Sequence, residues 1–267
     1  MTLLQLDQLG LRRNGQCFGP FSFALRAGER LALLGPSGAG KSTLLKLMSG
    51  ELAGERGRLL MQGQPLAQLS LPERARRRAV LPQSHQLAFG LPVELVVSLG
   101  RWGRESPSDA LHLASALAWA QATHLRGRRY DQLSGGEQAR VQLARVLVQL
   151  IDTEAGLLLV DEPLAALDPG LQLELLDTLT CFAAERGHAL VAVLHDLQQA
   201  LGGFERLLLL RQGQLVADLP AGKAALPALG ELFGLRLQAL SLPEGGWAVA
   251  AQRAAGCVVG CAKGYAA

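Results

Sequence analysis

One short motif constrains this chain more than any other feature. Residues 35–42 read Gly-Pro-Ser-Gly-Ala-Gly-Lys-Ser, the complete G-x-x-x-x-G-K-[ST] pattern of a phosphate-binding loop. An apolar run at residues 31–34 precedes the motif, and a helix-compatible run at residues 43–48 follows it. The loop is therefore predicted between a buried strand and a helix N-terminus, where backbone N–H groups and the helix dipole attract phosphate. The sequence predicts that the chain binds a nucleoside triphosphate.

The residue types in this motif predict how the phosphate is held. Its glycines allow positive φ, which lets backbone N–H groups approach the phosphate closely. Lys41 supplies a positive charge, and Ser42 supplies an oxygen ligand for Mg²⁺. A chance glycine-rich turn would not require these residues at these positions between a strand and a helix. We therefore expect the nucleotide to bind together with Mg²⁺.

A pair of acidic residues follows a second apolar strand pattern. Residues 157–160 are Leu-Leu-Leu-Val, and Asp161 and Glu162 come directly after them. Asp161 is expected to hold hydrated Mg²⁺, and Glu162 to polarise a water for in-line attack on the γ-phosphate. Acidic residues are also common in turns after strands, so the pair alone would be weak evidence. The phosphate loop on the same chain favours the catalytic interpretation.

A third motif opens a helical pattern at residues 133–138, which read Leu-Ser-Gly-Gly-Glu-Gln. Ser134 and Glu137 have the spacing of a capping box, so an ordinary helix start accounts for both. It does not account for Gly135 and Gly136. A Ser-Gly-Gly turn at a helix N-terminus exposes N–H groups to an anion, which predicts a second phosphate-binding element.

The distribution of strand and helix patterns predicts an α/β fold. Residues 3–13 and 21–26 are expected to pair as an antiparallel sheet, with Phe21, Phe23 and Leu25 facing inward. Between residues 83 and 133 the pattern becomes mainly helical, which predicts a helical insertion. Candidate helices there are 92–99 and 109–122. Further strands are predicted at 31–34, 58–61, 79–81, 157–160, 190–194 and 207–210, several of them apolar throughout as strands covered on both faces must be.

Composition excludes several other classes of protein. The 267 residues are 49% hydrophobic, enough for a sizeable core, yet no apolar run approaches the roughly 18 residues of a membrane span. The amino end lacks the pattern of a secretion signal, so we expect the chain to stay in the cytosol. A net charge of +3 does not indicate a broad nucleic-acid surface, and the arginines at 74 and 76–78 are interpreted as a solvated helix end. The four cysteines are interpreted as free thiols: Cys17, Cys181, Cys257 and Cys261.

Taken together, these motifs resemble the ATP-binding-cassette (ABC) ATPase family. The resemblance extends to about residue 235 and implies a P-loop NTPase (RecA-like) core, an antiparallel β-subdomain and a helical subdomain inserted at about residues 84–133. Residues 236–267 form an extension that loses periodicity from about Leu240, and no role is assigned to it. The residues that carry the resemblance are 35–42, Gln83, 133–138, 157–162, 164–168 and His195.

The family pattern also implies roles for individual residues. In a head-to-tail dimer that encloses two ATP molecules, Ser134, Gly135, Gly136 and Glu137 would form the signature motif that meets ATP on the other subunit. Gln83 resembles the family's Q-loop glutamine, which senses Mg²⁺ and the attacking water. His195 resembles the switch histidine that contacts the γ-phosphate, and Asp168 the aspartate of the D-loop. The nucleotide-binding residues implied are Gly35, Pro36, Ser37, Gly38, Ala39, Gly40, Lys41, Ser42 and Thr43, with Ser42, Gln83 and Asp161 at the metal.

The chain departs from the family pattern at three places. The region of residues 12–15 offers no aromatic residue to stack on adenine, and Phe18 is displaced from the usual position. Leu164 replaces the usual threonine after Glu162-Pro163. The D-loop reads Ala-Ala-Leu-Asp at residues 165–168 and lacks its serine. We expect modest recognition of the base and altered coupling, with hydrolysis retained.

Several segments narrow the resemblance to the ATPase subunits of haem importers, and more distantly to those for cobalamin and ferric siderophores. A homodimer would energise two membrane permease subunits from the cytoplasmic face of the inner (cell) membrane, with a substrate-binding protein on the other side. A soluble, non-transport ABC ATPase is the alternative, disfavoured because the insertion is short and the cassette single. The segments are 79–83, 87–89, 93–94, 99–101, 142–150 and 193–197.

Overall fold

The computed structural model describes residues 1–82, 90–101, 103, 106–161, 167–243 and 245–253. The strands in these ranges are β1 (Thr2–Arg13), β2 (Gln16–Arg26), β3 (Arg30–Leu34), β4 (Arg56–Met61), β5 (Gln64–Pro65), β6 (Arg78–Leu81), β7 (Leu157–Asp161), β8 (Ala189–Val193), β9 (Arg206–Arg211), β10 (Gln214–Pro220), β11 (Leu235–Ser241) and β12 (Trp247–Arg253). The helices are α1 (Lys41–Ser49), α2 (Leu71–Arg77), α3 (Val93–Ser98), α4 (Asp109–Trp119), α5 (Gly135–Leu150), α6 (Pro169–Glu185), α7 (Leu197–Gly203) and α8 (Leu226–Phe233).

The central sheet has the order β10-β9-β3-β8-β7-β6. Its five strands from β9 to β6 run parallel, and β10 pairs antiparallel at the edge. Strands β7 and β8 are buried along their whole length, as their uninterrupted apolar sequences predicted. Because parallel strands end on the same side, the chain leaves β3, β6, β7 and β8 at one edge of the sheet. The phosphate loop follows β3 at this edge.

A second, antiparallel sheet has the order β2-β1-β4-β5. The prediction for its second strand is confirmed: Phe21, Phe23 and Leu25 are buried, while Ser22 and Arg26 are exposed. Their inward side chains share a hydrophobic cluster with β3 and α1. The antiparallel sheet therefore covers one face of the central sheet next to the phosphate loop.

The predicted helical insertion is present, with α3 and α4 packed against α5. Helix α4 ends at Trp119 rather than at residue 122, because Gln121 adopts a positive φ of 53° that a helix cannot continue. The buried guanidinium of Arg101 donates to Asp109 at 2.7 Å and to Asp152 at 3.0 Å. These bonds join the start of α4 to the segment that follows α5.

Two sequence-based interpretations need correction. The chain after residue 240 does not simply lose regular structure, because β12 pairs in full register with β11 as a hairpin. The arginine cluster is only partly a solvated helix end: Arg78 lies half-buried in β6, and burial lowers its pKa.

Cys17 and Cys181 are exposed free thiols as expected, while Cys257 and Cys261 lie outside the described residues. Among the helices in the described ranges, none combines the length and apolar character needed to cross a membrane.

Candidate nucleotide-binding site

The phosphate loop lies between β3 and α1, as predicted. Gly40 is the N-cap of α1 with φ 99°, and no side chain caps the first turn of the helix. The N–H groups of that turn are the donors that a phosphate at a helix N-terminus accepts from. A side chain at Gly35 would collide with the carbonyl of Leu210, and a Cβ at Gly40 would lie 2.9 Å from the Phe18 ring. Glycine at these two positions is therefore required by close approach of neighbouring strands.

The side chain of Lys41 lies inside the loop and is only 5% exposed. Its ammonium donates to the carbonyl oxygens of Gly35 at 2.9 Å and Pro36 at 3.2 Å. The charge is thus held by the backbone of the loop that would surround a phosphate. Lysine at this position can neutralise phosphate oxygens bound within the loop.

The two predicted metal ligands meet across the central sheet edge. The Ser42 hydroxyl, at the start of α1, donates to Asp161 Oδ1 at 2.9 Å. Asp161 is the last residue of β7 and is 7% exposed. A hydroxyl and a carboxylate side by side are the hard oxygen donors that Mg²⁺ prefers, so these residues fit that ion.

Of the predicted catalytic residues, only His195 lies in the described part of the chain. His195 follows β8 closely, and its side chain is exposed. Strand β8 pairs in parallel with β3, and the Leu194 N–H donates to the Leu33 carbonyl at 3.3 Å, which holds the histidine segment beside the phosphate-loop strand. Gln83 and Glu162 lie outside the described residues, but β6 and β7, which precede them, end at adjacent positions of this edge.

The signature motif begins α5 with a complete capping box. The Ser134 N–H donates to Glu137 Oε2 at 2.8 Å, and the Glu137 N–H donates to the Ser134 hydroxyl at 3.3 Å. Arg128 donates to the other carboxylate oxygen at 2.6 Å. The hydrogen bonds from the Ser134 N–H and hydroxyl, with Arg128, lower the pKa of Glu137 below its ordinary value. Glu137 therefore stabilises the helix start, and both of its carboxylate oxygens already accept hydrogen bonds from this chain.

The two signature glycines differ in their surroundings. A Cβ at Gly136 would lie 2.8 Å from Leu171 Cδ2, at the start of α6, whereas a Cβ at Gly135 would meet no atom of the described residues within 4 Å. An alanine at position 136 would therefore require the end of the half-buried Leu171 side chain to shift. Within the described part of the chain, no close contact requires position 135 to be glycine. Its exposed backbone remains available to a ligand or another chain.

Helix α6 also connects Asp168 with the signature motif. Asp168 is exposed and caps α6, accepting from the Leu171 N–H at 3.0 Å. Leu171 is the residue that contacts Gly136. The start of α6 thus joins the D-loop aspartate to the signature turn. The residues near Asp168 that depart from the family pattern lie outside the described residues. They are Leu164 and the alanines at 165 and 166.

The sequence pattern missed two supports of the phosphate loop. Phe18 is 8% exposed and packs beneath Gly40, so little of its side chain is open to a base. Gly213, in the turn between β9 and β10, donates to the Ala39 carbonyl at 2.9 Å and accepts from the Gly19 N–H at 2.7 Å. The Gln-Gly pair at this turn predicts a reversal of the chain but gives no sign of its distant contact.

Comparisons with known proteins agree with this geometry. The profile of the ABC transporter family matches residues 18–165. The hemin import ATP-binding protein HmuV of Pseudomonas putida is 43% identical over 249 residues, covering 91% of this chain and 97% of that protein. The protein of the same name from Pseudomonas aeruginosa is 44% identical over 251 residues, with the same coverage.

A solved structure shares the fold at lower identity. The inward-facing conformation of a transporter assigned to the metal-chelate ABC type superposes with a TM-score of 0.77 at 24% identity, covering 94% of this chain and 98% of that one. On the family match and the identity to its relatives, the chain belongs to the ABC transporter family, as a nucleotide-binding ATPase subunit.

Proposed function

We propose that this chain is the ATP-hydrolysing subunit of a haem importer. The observation that carries the proposal is the Ser42 to Asp161 hydrogen bond of 2.9 Å beside the buried Lys41, an arrangement suited to a nucleoside triphosphate and its cation. The relatives named for hemin import support the cargo, since they match about nine-tenths of the chain. The ABC ATPase domain is assigned to residues 1–235, with its helical subdomain at about 84–133 and an extension at 236–267.

In this proposal the phosphate loop binds ATP within one subunit. Lys41 neutralises the β- and γ-phosphates, and the loop from Gly35 to Thr43 surrounds them. Ser42, Asp161 and Gln83 are the residues that would hold Mg²⁺. The chemistry that this ion supplies at such a site is neutralisation of charge on the phosphate oxygens.

Hydrolysis is assigned to the residues at the ends of β6, β7 and β8. Glu162 orients and polarises the attacking water, Gln83 senses that water, and His195 contacts the γ-phosphate. Asp161 remains a metal ligand one residue before Glu162. The two neighbouring carboxylates thus have separate roles, because one faces the cation and the other the water.

A second copy of the chain completes each site. Ser134, Gly135 and Gly136 of one subunit would contact the γ-phosphate held by the loop of the other, and Glu137 would keep the turn in shape. Asp168 lies at the same interface. The exposure of Ser134 and Gly135 supports this assignment, because a buried turn would have no access to another chain. ATP would favour the closed dimer because both subunits contact the same phosphates.

The dimer is proposed to act on two permease subunits at the cytoplasmic face of the inner membrane. A substrate-binding protein would deliver haem to the permease from the other side. Closure of the dimer would move the helical subdomains, and the docked permease with them, with Gln83 at the hinge. The choice of cargo then belongs to the permease and its binding protein.

Transport in reconstituted vesicles tests the proposal. Two copies of the chain, assembled with the permease, are expected to drive ATP-dependent haem uptake that rises with the loaded binding protein. The matched control replaces the chain with its Glu162→Gln variant, which should assemble but not sustain uptake. Cobalamin or ferric-siderophore uptake without haem uptake would overturn the cargo. ATPase activity indifferent to any permease would overturn the transport function.

A further inference from the structure

The helix that follows the proposed switch histidine is bonded to the C-terminal hairpin. Helix α7 begins two residues after His195, and Gln198 lies in its first turn. The Gln198 side chain donates from Nε2 to the Trp247 carbonyl at 3.1 Å and accepts at Oε1 from the Val249 N–H at 2.9 Å. Alternate residues of a strand present their backbone groups to the same edge. One side-chain amide therefore occupies the two bonding positions that another strand would take on β12.

A cation–π contact and apolar packing also hold the hairpin against the body of the protein. Lys223 lies over the Trp247 ring, with its ammonium 5.7 Å from the ring centroid. The inward side of the hairpin packs against the main hydrophobic cluster, as does Leu197 of α7. The hairpin residues in this contact are Leu237, Ala239, Trp247 and Val249. The hairpin is thus a fixed neighbour of α7 rather than a separate appendage.

These contacts restrain the histidine segment from both sides. Before His195, Leu194 is buried and bonded to Leu33 of β3. After it, Asp196 caps α7, and Gln198 bonds the helix to β12. Only two residues separate His195 from Gln198, so a shift of α7 changes the direction of the histidine backbone. The histidine side chain itself is exposed at the sheet edge.

We infer that Gln198 is a positioning residue, through which the C-terminal hairpin sets the direction of His195 toward the γ-phosphate. The inference rests on the proposed function, since His195 is assigned its contact there. Groups that act on a transition state must be held to within about 0.5 Å, and supporting hydrogen bonds provide that restraint. The hairpin, to which the sequence assigned no role, would then contribute to hydrolysis without touching the nucleotide.

The first test uses the full chain, assembled with its permease, and the Gln198→Ala variant. We expect kcat for ATP to fall about tenfold while KM stays within about twofold, because the phosphate loop is untouched. Amide hydrogen exchange at Val249 should become faster in the variant, which reports loss of the contact itself. Gln238→Ala, on the exposed side of β11, is the matched control and should keep the parent kcat. Parent kcat in Gln198→Ala, with faster exchange at Val249, would overturn the inference.

A double-mutant cycle separates positioning from a general loss of structure. In a His195→Ala background, Gln198→Ala should cause no further loss of kcat, because the residue it positions is gone. An equal fall of kcat in both backgrounds would overturn the inference. If His195→Ala alone keeps the parent kcat, the proposed role of His195 fails instead, and the inference with it. Should Gln198→Ala fail to fold, Gln198→Glu serves in the same cycle, since it keeps the acceptor for Val249 and loses the donor to Trp247.

Discussion

The phosphate loop and the signature turn both begin a helix, yet they are built differently. Lys41 and Asp161 are almost completely buried; Lys41 bonds to the backbone of its own loop, and Asp161, at the end of β7, accepts from Ser42 at the start of α1. Ser134 and Gly135 are exposed, and the capping box closes the turn on itself. The hydrogen bonds of Lys41 and Asp161 described at the first site all lie within one chain. The second presents backbone to the outside.

Because of this difference, mutations at the two sites should cause different defects. A change at the phosphate loop should act on nucleotide binding by a single chain, since its contacts are internal. A change at the signature turn should leave that binding intact and act on association of two chains. A change at Gly136 could affect both association and stability. The residue belongs to the signature turn, and a side chain there would also meet the end of Leu171.

The largest effect is expected from Lys41→Ala. Loss of the buried ammonium leaves the triphosphate charge unmatched, and losing two hydrogen bonds to charged groups, at about 1.5–3 kcal/mol each, costs about 3–6 kcal/mol. ATP affinity should fall by about a hundredfold or more, and hydrolysis should be lost with it. Equilibrium binding of labelled ATP measures this, with Lys46→Ala on the same helix as control. If Lys41→Ala kept the parent affinity for ATP, the phosphate loop of a single chain would not be the site that binds the triphosphate.

Glu162→Gln should separate binding from hydrolysis. The amide cannot accept a proton from water, so hydrolysis should fall by about 10²–10⁴-fold while ATP affinity stays near the parent value. The variant should then accumulate as an ATP-bound dimer, which sedimentation or light scattering detects. Hydrolysis at the parent rate would remove the role assigned to Glu162. An inactive variant that remains a monomer at saturating ATP would instead contradict the role given to the signature turn.

Local patterns were sufficient for much of the fold but not for the distant contacts. The apolar runs at 31–34 and 157–160 correctly predicted buried strands, because both faces of those strands are covered. The hairpin of β11 and β12 was missed although β11 alternates from Leu235 to Ala239, since β12 opens with the run Trp-Ala-Val-Ala-Ala at residues 247–251, which has no alternation. The contacts of Gly136 with Leu171 and of Gly40 with Phe18 join residues far apart in sequence. No local spacing encodes such pairs. The strand predictions did place Ser42, Asp161 and His195 after strands that end at one edge of the sheet.

A smaller effect is expected from exchanging the two signature glycines for alanine. Gly136→Ala should have a lower free energy of unfolding than Gly135→Ala by about 0.5–1.5 kcal/mol, because the Leu171 side chain must leave its rotamer to make room for the new methyl group. Gly135→Ala should not destabilise the chain but should weaken ATP-dependent dimerisation. Thermal unfolding and sedimentation measure the two effects. Equal stability of both variants would contradict the distinction between the glycines, and Leu171→Ala should relieve the defect of Gly136→Ala.

The smallest effect concerns the base. Residues 12–15 contain no aromatic side chain, and the Phe18 ring lies beneath Gly40, so affinity should come mainly from the triphosphate. Preference for ATP over GTP should stay below about a hundredfold, or about 2.7 kcal/mol, in competition binding. Phe18→Leu distinguishes support of the loop from stacking on adenine. If Phe18 supports the loop, the variant lowers the affinities for ATP and for inorganic triphosphate by the same factor. A loss confined to ATP would instead place the ring against the base, and the phosphate-loop site would then depend on a contact outside the loop.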